Sequence, residues 1–135
     1  MSQHDDIVKR MMQNDQLSQW LGIKLLESGK GWCRLEMTVR SEMVNGFGVT
    51  HGGITYCLAD SALAFSSNSH GRKSMSIETS ISHTKNVSTG DVLTAVSKEL
   101  SLSNKLAVYE VTVTNQKNVV VALFKGTVYR TSEEW

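Results

Sequence analysis

A single carboxylate interrupts the most charge-poor part of this chain. Between Thr50 and Gly71 the sequence THGGITYCLADSALAFSSNSHG has no Lys or Arg, and Asp60 is its one acid. An ionised carboxylate in apolar surroundings is costly unless it is paired, neutralised or facing a cavity. No residue three or four positions away is basic, so a partner on the same helix is excluded. A basic side chain from another element, or plain exposure to water, would make Asp60 structural. A cavity would make it a general base or a nucleophile.

The start of the same segment carries the complementary feature. Thr50-His51-Gly52-Gly53 places two residues without side chains in a first helical turn, where backbone N–H groups lack intrahelical acceptors and the helix dipole is positive. Gly52 and Gly53 would let a ligand's oxygen come close. An HGG run alone also fits a simple cap or a close packing point. Together with Asp60, however, it makes the minimum equipment for acyl hydrolysis: a base or nucleophile and amides to hold an oxyanion. Gly52 and Asp60 are eight residues apart, roughly 12 Å along one helix. That is too far for both to act on one carbonyl, so two antiparallel copies related by a twofold axis are expected to share each site.

The elements that must position these groups are legible as patterns. Ile7, Val8, Met11 and Met12, then Leu17, Trp20 and Leu21, predict one interrupted helix or two short ones ending at Gly22. A hairpin follows, with Cys33, Leu35, Met37 and Val39 on its buried face and a turn at Ser28–Gly31. Residues 40–50 read as a loop and 51–69 as a helix apolar around most of its circumference. In the next strand Met75, Ile77 and Ile81 alternate with Ser74, Ser76, Glu78, Ser80 and Ser82. Further strands are predicted at 91–100, 105–115 and 118–130. Helix, two strands, long helix and four strands predict an α+β fold: an antiparallel sheet of about six strands, covered by the helix at 51–69.

Composition narrows the function classes. The 135 residues suit one domain, 1–135, and 40% hydrophobic with 20% charged residues is ordinary for a globular protein. A net charge of +1 predicts no nucleic-acid or membrane partner. Cys33 and Cys57 form no CxxC pair, which argues against a zinc or thioredoxin-type site and predicts two reduced thiols. The chain has no GxSxG elbow and no phosphate-binding GxxxxGK[ST]. Its N-terminus lacks the pattern of a secretory signal and no apolar run reaches membrane-spanning length, so a cytoplasmic protein is expected.

Asn14-Asp15, Asn45-Gly46, His51-Gly52-Gly53, Leu58-Ala59-Asp60, Thr89-Gly90-Asp91-Val92-Leu93 and Val121-Ala122-Leu123-Phe124-Lys125-Gly126 together resemble the hotdog-fold acyl-CoA thioesterases. The resemblance is to the PaaI-like branch associated with phenylacetate degradation, and it covers nearly the whole chain. It implies a curved sheet wrapped around a long central helix, dimers joined edge to edge, and a homotetramer of two dimers. By the same resemblance Asp60 matches the catalytic carboxylate, and Gly52 the N–H that polarises the thioester carbonyl. Asn45 matches an amide near the thioester or the attacking water, while His51, Gly53 and Asn14 fall near the substrate pocket. Lys85 stands where relatives carry Arg, and could still meet a CoA phosphate as a point charge. Where some relatives place a water-holding hydroxyl one turn after the acid, this chain has Ala64.

The expected activity is hydrolysis of an acyl-CoA, with an aromatic acyl group favoured by the resemblance and no metal or bound cofactor. Phe47, Tyr56 and Phe65 are candidates for an acyl pocket or for plain core, and Arg72, Lys73 and Lys85 for CoA phosphates or plain surface. The alternatives are a hotdog protein that binds acyl-CoA without turning it over, and a hotdog dehydratase using His51 with Asp60.

Overall fold

The structure, a computed structural model, describes residues 3–135. The N-terminal pattern resolves into two helices, α1 (Gln3–Asn14) and α2 (Gln16–Trp20). The break falls at Asp15, whose carboxylate caps α2 by accepting the Ser18 N–H at 2.9 Å. Gly22, at φ +75°, then turns the chain out of α2, a conformation that favours glycine. The strands are β1 (Lys24–Gly29), β2 (Trp32–Thr38), β3 (Arg72–His83), β4 (Val92–Leu102), β5 (Leu106–Thr114) and β6 (Val120–Glu134), and the long helix α3 spans Gly52–Asn68. Residues 40–50 contain a 3-10 turn at Ser41–Met43 and a bridge from Val44 to Thr50.

The six strands form one antiparallel sheet in the order β1-β2-β4-β5-β6-β3. The chain leaves β2 near one edge and re-enters as β3 at the other, and α3 is the connection. Its 17 residues span roughly 25 Å, enough to cross strands spaced about 4.8 Å apart. The α+β expectation therefore holds, and α3 covers the apolar face.

The alternation in β5 shows how that face is made. Ala107, Tyr109, Val111 and Val113 are buried, and they join Leu35, Met37, Leu93, Ala95 and Phe124 against Leu58, Ala59, Ala62, Leu63 and Phe65 of α3. Small residues let the helix lie close: Leu63 packs directly over Gly126, where a Cβ would sit 2.5 Å from a Leu63 methyl. The far end of α3 is fastened by polar groups. Ser66 donates to the Ala62 carbonyl and shares a hydrogen bond with Ser97, Asn68 donates to Ala64 and Ser74 carbonyls, and Ser69 receives the Gly31 N–H.

One strand departs from its predicted pattern. A register shift between Ser76 and Glu78 breaks the alternation of β3, and Met75 and Ile77 are 62% and 60% exposed. Only Ile81 of the predicted apolar set packs against the core. The reason is position: β3 ends the sheet, and α3 does not cover all of it.

Gly126→Ala tests the close approach. Strand propensity alone predicts a gain, but the methyl overpacks Leu63, so a loss of about 1–3 kcal/mol is expected. Adding Leu63→Ala should cost less in that background than in wild type, which a thermodynamic double-mutant cycle would measure.

Candidate active site

His51 organises the start of α3. It is the N-cap, its Nδ1 accepts the Gly53 N–H at 3.1 Å, and its carbonyl accepts the Ile54 N–H at 2.9 Å. In the neutral ring this leaves the proton on Nε2. Among the described residues, no acceptor takes the Gly52 N–H. Of the first-turn amides that His51 could satisfy, Gly52 is left available at the positive end of the dipole.

A cleft of about 210 Å³ opens at that amide, lined by Asn45, Thr50, Gly52, Thr55, His83 and Lys85 among others. Three of the residues singled out from sequence, Asn45, Gly52 and Lys85, thus meet. The Asn45 Oδ1 is used by its own loop, accepting the Phe47 and Val49 N–H groups at 2.9 and 3.3 Å, which leaves its NH₂ as the donor toward the cleft. Thr50 is 8% exposed, and its hydroxyl has no partner, which marks a place for an oxygen or N–H from outside the chain. His83 stands against Gly52: a Cβ there would lie 3.0 Å from the His83 Nε2. Sequence reasoning passed over His83 and Thr50, since neither belongs to a motif and only the fold brings β3 to the helix start.

His51 and Gly53 line a neighbouring cleft of about 350 Å³ with Met43, Ile54 and Cys57. On a helix of 3.6 residues per turn, Gly53, Cys57 and Asp60 share one face, so this cleft runs along the side of α3 that bears the acid. Asp60 itself is half-buried and makes no ion pair among the described residues. Burial, and then the like charge of Asp15, raise its pKa above the ordinary value. This is the cost foreseen for an acid in so apolar a helix: its environment disfavours the ionised form. The Cys57 thiol, one turn away, is also pushed up, by burial and then by Asp60 and Asp15. Cys33, fully buried, is pushed up to about 11 by desolvation, and both cysteines are free thiols.

Asn14 is set apart from the Gly52 cleft. It is exposed, donates from Nδ2 to the Arg10 carbonyl at 2.9 Å, and lines a third cleft with Arg10, Met11, Asp15 and Trp135. Its neighbour Asp15 bears on Asp60, and the Asp-x-x-Ser cap was the signal available for it. Two other candidates are engaged elsewhere: Arg72 bonds to Asn104, and Lys73 pairs with Glu133 at 3.0 Å and lies over Trp135. Phe65 is core, Tyr56 packs edge-on to Phe124 and bonds Thr79, and Phe47 is 93% exposed at a loop tip.

The thioesterase superfamily model matches residues 47–122, the span from the loop before α3 into β6. The chain belongs to the thioesterase superfamily. It is 33% identical over 120 residues to the acyl-coenzyme A thioesterase PaaI of Escherichia coli, covering 89% of this chain and 86% of that protein. The solved structure of the E. coli PaaI protein from the phenylacetic acid degradation operon superposes with a TM-score of 0.95, covering 98% of this chain and 96% of that one at 30% identity. A Streptococcus mutans protein solved with acetyl CoA superposes at a TM-score of 0.81 and 26% identity, over 84% of this chain and 91% of that one. The chain is thus a PaaI-like hotdog thioester hydrolase. No helix of the described residues is long and apolar enough to cross a membrane.

The raised Asp60 carboxyl has a consequence for this thioesterase's stability. A group that holds its proton more tightly when folded subtracts stability as pH rises from the ordinary carboxylate range through its own raised value. Asp60→Asn removes that loss. Thermal melts from about pH 3 to pH 8 should show the variant gaining on wild type across this window and holding a constant advantage above it.

Proposed function

We propose that this protein hydrolyses an aromatic, phenylacetyl-type acyl-CoA to the free acid and CoA at sites shared by two subunits. The observation that carries this reading is the unneutralised Asp60 on the same helix whose Gly52 N–H is unpartnered. In a dimer with antiparallel α3 helices, the Gly52 N–H of one subunit polarises the thioester carbonyl while Asp60 of the other addresses its carbon. As a base, Asp60 takes a proton from water as the water oxygen bonds to the carbonyl carbon. Collapse of the oxyanion then breaks the C–S bond, and the proton passes to the leaving thiolate. As a nucleophile, Asp60 bonds to the carbonyl carbon, the C–S bond breaks to release the CoA thiolate, and water opens the resulting anhydride in a second step, giving the free acid and restoring the carboxylate.

The supports for assembly are on the surface. β3 offers an edge with no partner strand, bearing exposed Met75 and Ile77, and such an edge invites pairing with another chain. Val96, Leu100, Leu106 and Leu123, each more than two-fifths exposed, lie on the sheet face turned away from α3 and suit the packing of two dimers into a tetramer. Asn45 orients the water or the thioester, His51, Gly53 and Asn14 border the substrate, and Lys85 meets a CoA phosphate. The acyl preference is supported by the likeness to the PaaI protein of the phenylacetic acid degradation operon. A cytoplasmic site of action accords with a CoA substrate.

The test is thiol release from a panel of aryl- and fatty-acyl-CoAs. Phenylacetyl-CoA should be turned over best, and Asp60→Asn should lose about 10²–10⁴ in kcat, the usual worth of a positioned base, while assembly is retained. No turnover on any substrate together with saturable CoA binding would make the protein a binder. After single turnover in ¹⁸O-water, label in Asp60 would establish the anhydride route, in which water attacks the aspartyl carbonyl, because the general-base route places label only in the product acid. Mixing Asp60→Asn with subunits damaged at Gly52 should restore some active sites, and failure to do so would refute the shared site.

A further inference from the structure

The turn of α3 that carries Asp60 is tied to the start of α2 by a half-buried hydrogen-bond chain. Asp15 accepts twice from Ser18: from its N–H on Oδ1 at 2.9 Å and from its hydroxyl on Oδ2 at 2.7 Å. Ser18 is 1% exposed, and its Oγ lies 2.7 Å from the Oγ of Ser61, the residue after Asp60. A serine hydroxyl has one proton, and Ser18 gives it to Asp15, so Ser61 must donate to Ser18. The chain runs in one direction, from α3 to the carboxylate.

We propose that Asp15 is a positioning residue for Asp60, clamping its turn of α3 through Ser18 and Ser61 and setting a fixed negative charge beside it. This role depends on Asp60 acting as base or nucleophile, as proposed above. A cap needs only an acceptor oxygen, and Asn or Ser would serve α2 about as well. The charge is what distinguishes aspartate here. It bears on both Asp60 and Cys57, the titratable groups on this face of α3. Arg10, the cation of α1 that shares a cleft with Asp15, directs its guanidinium over the Trp135 ring at 5.4 Å. No side chain of the sheet contributes to the ionisation of Asp60. With no cation opposing it, a like charge makes a carboxylate a stronger base.

The experiment is the pH profile of kcat/KM for phenylacetyl-CoA hydrolysis in wild type, Asp15→Asn, Asp15→Ser and Ser18→Ala, with melting temperatures measured in parallel. Both neutral caps should move the acid limb to lower pH and lower kcat with little change in KM. The separation from wild type should narrow as salt is added, because a screened charge acts less. Ser18→Ala keeps the charge and cuts the chain, so it should lower kcat without moving the acid limb. An acid limb unmoved in either folded neutral variant would overturn the role of the charge, and unchanged kcat in Ser18→Ala would overturn the clamp. Asp15→Ser covers the case in which Asp15→Asn fails to fold. Should Asp60→Asn keep wild-type activity, the parent reading falls instead, so the two failures are told apart.

Discussion

Asp60 stands half-buried on α3 beside another negative charge, and among the described residues no cation pairs with it. The rest of the molecule is arranged so that this can persist. α3 is held along its length by Leu58, Leu63 and Phe65, and brought close to the sheet by Ala59, Ala62 and Gly126. Its last turns are fastened by Ser66, Asn68 and Ser69. Burying each large apolar side chain is worth about 1.5–3 kcal/mol, so several together outweigh one poorly solvated carboxylate. The same rigidity presents the Gly52 amide, because a helix fixed at its far end cannot turn its first N–H away.

Charge is distributed to match. Arg34 pairs with Glu27, Lys73 with Glu133, Arg40 with Glu42 and the Trp20 carbonyl, and Arg72 with Asn104. These exposed pairs add little stability, but each leaves its cation occupied away from α3. Lys85 is the basic side chain lining the Gly52 cleft. The positive character of the site therefore sits at the helix start and the negative character near its middle, the polarity required for holding an oxyanion at one end and activating a nucleophile at the other.

The fold was legible from sequence wherever one physical rule dominated. Alternation gave away β2, turn-like clusters such as STGD and SLSN set off β4 and β5, and absence of charge gave away α3 itself. β3 was misread because Met75 and Ile77 follow the period of a buried face, yet they sit on an edge strand with a register shift; period two records a pleat and not what covers it. The N-terminal helices could be read as one or two because the break rests on a side chain, Asp15, that serves as a cap. In the candidate site, Asp60 and Gly52 announced themselves through unusual residue types in local context, and Asn45 only through the family resemblance. Ser18, Ser61, Thr50 and His83 did not, since hydroxyls and a lone histidine acquire meaning only when distant elements converge. Ser18 and Ser61 are 43 positions apart.

If Asp60 acts as proposed, the local conflict around it sets catalysis and stability against each other. A folded domain retains only about 5–15 kcal/mol of net stability, and an Arg or Lys placed against Asp60 would add to it by relieving both burial and the repulsion from Asp15. It would also hold the carboxylate in its ionised form, weaken it as a base and block the approach of water or thioester. The arrangement seen in α3 keeps the opposite balance: Asp15 is held by Ser18 on both oxygens, and Asp60 accepts no hydrogen bond among the described residues. On the proposed role, a carboxylate kept short of partners in the free protein finds its best partner in the reacting substrate, and a more stabilising partner within the chain would compete with that substrate.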